Sequence, residues 1–104
     1  MKAPSPYIPP AAAATLRCCG WDCAARGALS AMLQAKNERG HWAALVYPSG
    51  RWSVVRVPAR QAPIAQGREA DAASAAMMAS EVLWAMRDGR DVPAHVAPFM
   101  AARA

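Results

Sequence analysis

The side chains that could do chemistry fall in three places. The first is Cys18-Cys19-Gly20-Trp21-Asp22-Cys23, which with His41 or His95 could supply zinc ligands. The spacing argues against it. No second Cys-x-x-Cys pair exists, and vicinal cysteines rarely ligate one metal together. Cys19 and Cys23 are four apart, the spacing of small apolar fillers on one helix face. A nucleophilic cysteine acting with His41 would need a third group to orient the pair, and none is evident. No metal and no cofactor are expected.

The second place is the carboxylates, spread along helical segments at surface-like positions. There is no Gly-rich phosphate loop, no Gly-x-Ser-x-Gly and no His-Glu-x-x-His. The residues imply no enzyme.

The third place combines cations with rings. Between Arg39 and Arg68 there are five arginines and no acid: Arg39, Arg51, Arg56, Arg60 and Arg68. Between Glu69 and Asp91 there are five acids and two arginines. The middle segment therefore carries +5 and the next −3. Tyr47 and Trp52 lie within the basic segment. Arginines beside aromatic side chains suit phosphate and base contacts. The charge segregation suits an acidic partner, nucleic acid first and an acidic or nucleoprotein surface second.

These residues need a scaffold, and 104 residues make one ordinary domain. Trp42 to Tyr47 and Trp52 to Val57 are rich in aromatic and β-branched residues around Pro48-Ser49-Gly50-Arg51, the pattern of a β-hairpin. A tight turn on Ser49-Gly50 places Tyr47 opposite Trp52, Leu45 opposite Val54, Ala44 opposite Val55 and Trp42 opposite Val57. A lone hairpin is marginal in water, so a third strand is expected, with Ile64 to Gln66 as candidate.

Glu69 to Asp88 predicts a helix closed by Gly89. Its apolar residues form two stripes. Met77, Leu83 and Trp84, with Ala73, Ala76 and Ser80, make one; Met78, Val82 and Met86 make the other. The second is a candidate face for a partner or a second copy of the chain. Asp22 is a good N-cap for a helix over 23–37 ended by Gly40. A rival reading makes Ala28 to Ala35 a strand that turns at Asn37-Glu38-Arg39-Gly40. Helix propensity favours the first.

The expected fold is α+β: a small antiparallel sheet, hairpin 42–57 plus a third strand, packed on helix 69–88 and preceded by helix 23–37. Residues 1–14 read as a Pro/Ala-rich disordered tail, 15–91 as the domain and 92–104 as an irregular tail onto which Phe99-Met100 can tuck. No stretch is apolar enough to span a bilayer. Prolines at 4, 6, 9 and 10 break any signal-peptide core, and an odd number of cysteines suits reduced thiols, so a cytoplasmic location is expected.

The order of elements resembles the APETALA-type DNA-binding domains and the arm-binding domains of phage integrases. It rests on Ser49-Gly50-Arg51-Trp52, then Val54, Val57, Ile64 and Gly67, then an Ala-rich helix opening with Glu69-Ala70. The resemblance spans His41 to Asp88. It implies a three-stranded sheet on one helix, with DNA read by the sheet. Arg51 falls where those families have a basic contact residue. The neighbouring contact positions are Leu45, Tyr47, Val55 and Val57, which cannot clamp phosphates, and the families' aromatic before the helix is absent.

Three functions follow as expectations. The first is a non-enzymatic protein that binds nucleic acid or another acidic macromolecule through Arg39, Tyr47, Arg51, Trp52, Arg56, Arg60 and Arg68. The second is a small phage- or plasmid-encoded inhibitor of a host or defence protein, in the manner of anti-CRISPR proteins. The third is a homodimer formed through Met78, Val82 and Met86.

Overall fold

A computed structural model describes residues 20–22, 31–58 and 62–101. Four strands, β1 (Ala31–Asn37), β2 (Gly40–Val46), β3 (Arg51–Arg56) and β4 (Ala65–Arg68), form an antiparallel sheet in sequence order. One helix, α1 (Ala72–Asp88), packs on one face of it, chiefly against the central strands β2 and β3. The fold is α+β with a sheet of four strands, one more than the hairpin and third strand require.

The extra strand is β1, and it replaces the second half of the expected 23–37 helix; residues 23–30 lie outside the described residues. Helix-favouring Ala, Met, Leu and Gln are overridden here by a period of two. Ala31, Leu33 and Ala35 are buried while Gln34 and Lys36 are exposed. The turn into β2 is the one the rival reading implies. Asn37 pairs with Gly40, and the Asn37 side chain accepts a hydrogen bond from the Arg39 amide at 2.8 Å.

The β2–β3 register differs by one residue from the tight turn expected on Ser49-Gly50. Trp52 lies opposite Val46, Ser53 opposite Leu45, Val54 opposite Ala44, Val55 opposite Ala43 and Arg56 opposite Trp42. The cause is a three-residue loop, Pro48-Ser49-Gly50. The Tyr47 amide donates to the Arg51 carbonyl at 2.9 Å, and Gly50 adopts φ 86°. Trp42, Ala44, Val46, Trp52 and Val54 thereby share the helix side of the sheet, and all are buried.

Helix α1 starts three residues later than expected. The Asp71 carboxylate caps it by accepting from the Ser74 amide at 2.7 Å, and Gly89 closes it in the left-handed conformation, φ 68°. Its buried residues are Ala72, Ala75, Ala76, Ala79, Val82, Leu83 and Ala85, which cut across both predicted stripes. Alanine at the closest approach lets the helix backbone settle onto a sheet that carries two indoles.

Residues 92–101 pack on the domain. Val96 is fully buried, the Phe99 ring meets Trp52 edge-on at 5.7 Å, and Met100 pairs with Ala65. On the opposite sheet edge, Asp22 pairs with Met32 and Trp21 enters the core. No described helix is long and apolar enough to cross a membrane.

Candidate nucleic-acid interface

No described element packs on the second face of the sheet. Strand alternation fixes its residues. They are Met32, Gln34 and Lys36 from β1; His41, Ala43 and Leu45 from β2, with Tyr47 just beyond; Arg51, Ser53 and Val55 from β3, with Val57 beyond; and Gln66 and Arg68 from β4. The interior of this face is neutral: Ala43, Ser53 and Val55 are largely shielded, and Met32 and Leu45 are half-buried neighbours. The cations stand at its two ends.

At the end formed by the β2–β3 loop, Tyr47, Arg51 and Arg68 come together. Arg51 is directly opposite Arg68 in the β3–β4 ladder, and both are exposed. The Arg51 guanidinium lies over the Tyr47 ring, 5.3 Å from its centroid, within cation–π reach. Backbone bonds fix this end. Besides the Tyr47 bond, the Glu69 amide donates to the Gly50 carbonyl at 2.9 Å, tying the loop to the exit of β4.

At the other end, Lys36 is opposite His41, whose Nε2 lies 2.7 Å from the Gln34 side-chain oxygen. Six residue steps, from His41 to Tyr47, separate the two ends, on the order of 20 Å. Among the described residues, no ion pair involves Lys36, Arg51 or Arg68.

The remaining expected site residues lie elsewhere. Trp52 is a core residue, only 1% exposed, on the helix side. Arg56 is on the helix side as well, exposed at the strand end opposite Trp42. Arg39 sits against Gly89 at the C-terminal end of α1, where a cation suits the helix dipole. Arg60 lies outside the described residues. Of the suggested partner face, Val82 is fully buried under the sheet, and Met78 and Met86 are half-buried against the core. The exposed apolar side chain of the helix is Met77. Lys36 and Gln34 were absent from the expected surface because their segment read as helix; the alternation from Ala31 to Asn37 is the signal that places them.

Five of the seven acids, Glu69, Asp71, Glu81, Asp88 and Asp91, lie on or beside α1, whereas Asp22, paired with Met32, falls on the second face of the sheet at its β1 edge. Glu69, Ser74, Met77, Met78, Glu81 and His95 line a shallow groove of about 250 Å³, in which His95 Nε2 meets a Glu81 carboxylate oxygen. Near the end of α1, the Arg87 side chain bonds Asp88 at 2.8 Å and holds that carboxyl below its usual range, and Arg87 also covers the Trp84 ring at 4.3 Å. The Ser74 amide lowers Asp71 in the same sense. Among the described residues no three His, Cys, Asp or Glu side chains are placed to hold a metal ion; Cys18, Cys19 and Cys23 lie outside them. No protein-family model, curated protein or solved structure matches the chain.

Proposed function

We propose that this is a non-enzymatic nucleic-acid-binding protein that lays the polymer across the sheet face opposite α1. The observation that carries the reading is the Arg51–Arg68 pair. Like charges directly opposite in an antiparallel ladder destabilise it, by a few tenths of a kcal/mol to about 1 kcal/mol. Here the two arginines stand on one face with Tyr47 beside them and no carboxylate on either. A polyanion turns that repulsion into attraction.

Fluorescence anisotropy with duplex and single-stranded DNA and RNA, over a salt series, tests this. Binding should weaken steeply with salt. Arg51→Gln and Arg68→Gln should each reduce the log–log slope by about one. Absence of binding to all four polymers at low salt would end the reading.

The half-exposed Met32–Leu45 pair at the centre of the same face favours a second reading, an acidic protein partner bound stoichiometrically as an inhibitor binds its target. A nuclease-treated pull-down that still recovers one protein at equal molar ratio would favour this reading over the first.

A further inference from the structure

Resting on the nucleic-acid reading, we infer that Arg51 and Arg68 act as a two-pronged clamp on a single backbone phosphodiester, with Tyr47 setting the angle of one prong. Directly opposed side chains in an antiparallel pair leave the backbone about 5 Å apart at Cβ. The two stems therefore rise side by side from the last rung of β3 and β4. Both side chains are exposed, and neither is drawn aside by an acid. All seven carboxylate side chains lie among the described residues, so no other Asp or Glu could draw them aside.

Tyr47 resolves the conflict between the two charges. Its ring, on the β2 side of Arg51, holds that guanidinium at 5.3 Å, while Arg68 stands on the β4 side. The heads are thus biased apart, and an oxyanion between them can take a fork from each. Guanidinium forks match the paired oxygens of a phosphodiester; an ammonium supplies the charge without that geometry. Gly50 is bonded to both Tyr47 and Glu69, which ties the loop to the strands on either side of the rung. The opposite end of the face carries Lys36, a point charge, and no such pair.

The clamp differs from diffuse attraction in what lysine does. Anisotropy titrations with an oligothymidylate at about 0.15 M salt compare the native chain with Arg51→Lys, Arg68→Lys and Lys36→Arg. Melting curves first establish that each variant is folded. Both Arg→Lys variants should bind about tenfold more weakly although the net charge is unchanged, and Lys36→Arg should bind as the native chain does. If the lysine variants bind like the native chain while Arg51→Gln and Arg68→Gln weaken, the clamp is wrong and the nucleic-acid reading stands. A parallel NMR titration with inorganic phosphate should shift the Arg51 and Arg68 Nε–H signals before others. If the native chain binds neither oligonucleotide nor phosphate, both the clamp and the reading fall together.

Discussion

Trp52 and Gly67 face each other across β3 and β4, so closely that a Cβ built on Gly67 would stand 2.9 Å from the indole Nε1. The same Cβ would lie 2.8 Å from Phe99 Cδ1. The glycine is the floor on which the most deeply buried of the three core indoles rests, and Phe99 closes that pocket edge-on. Gly67→Ala should therefore overpack the site and destabilise the fold by about 1–3 kcal/mol. Urea denaturation reads this as a lowered midpoint with an unchanged slope. An unchanged midpoint would mean that the Phe99 segment yields freely and is not a fixed part of the core.

Gly50 presents a stricter case, because its conflict is with backbone. A Cβ there would lie 2.1 Å from the Glu69 carbonyl oxygen, and φ is 86°, a region side chains disfavour. A backbone carbonyl cannot swing away as a side chain can. Gly50→Ala should cost more than about 2 kcal/mol, and more than Gly67→Ala. Differential scanning calorimetry on the two variants gives the order. A smaller loss at Gly50 would mean that the loop is not held by Glu69.

These two glycines also mark how far the sequence was legible. The hairpin, the late helix with its Gly89 cap and a strand near Ile64 are all local patterns, and the residues announce them. β1 is legible only as the rival reading, because Met32, Leu33, Gln34 and Ala35 each favour helix and the pairing with β2 decides for strand. The one-residue register difference comes from Pro48, which joins Ser49 and Gly50 in the loop instead of standing opposite Arg51. That slip decided the site. Tyr47 pairs with Arg51 rather than Trp52, and so the ring belongs to the basic end of the open face. Arg51 and Arg56 are separated whatever the register, because the two ends of one six-residue strand fall on opposite faces.

Asp71 makes stability depend on acid. Its carboxylate accepts from the Ser74 amide at the head of α1, and that bond lowers its pKa on folding. A carboxyl whose folded pKa lies below its unfolded value contributes fully above the unfolded pKa, and that contribution is lost as pH falls through the folded one. Asp88, lowered by Arg87, acts in the same sense. Urea unfolding followed from neutral pH down through the carboxylate range should show stability falling. Asp71→Asn keeps an acceptor for Ser74 but cannot titrate, so its acid limb should be shallower with some slope left from Asp88. Asp71→Ala should be less stable at every pH. An unchanged acid limb in Asp71→Asn would remove the cap from the account.

Tyr47 and Trp52 read alike in the sequence, two rings flanking one turn, yet their faces give them opposite roles. Trp52 is buried among Val54, Val82 and Leu83 in the core cluster and contacts Phe99. Trp52→Ala should cost about 3–5 kcal/mol, enough to leave a small domain largely unfolded at room temperature. Tyr47 is only partly buried, on the face opposite α1, with Arg51 over its ring. Tyr47→Ala should leave the melting temperature within a few degrees of the native chain but free the Arg51 side chain. Oligonucleotide affinity should then fall severalfold while Tyr47→Phe, which keeps the ring, binds normally. Thermal melts and anisotropy on the same samples separate the two effects. A Tyr47→Ala chain that is folded and binds at full strength would show that Arg51 needs no ring to hold it, and the two-pronged arrangement would lose its fixed geometry.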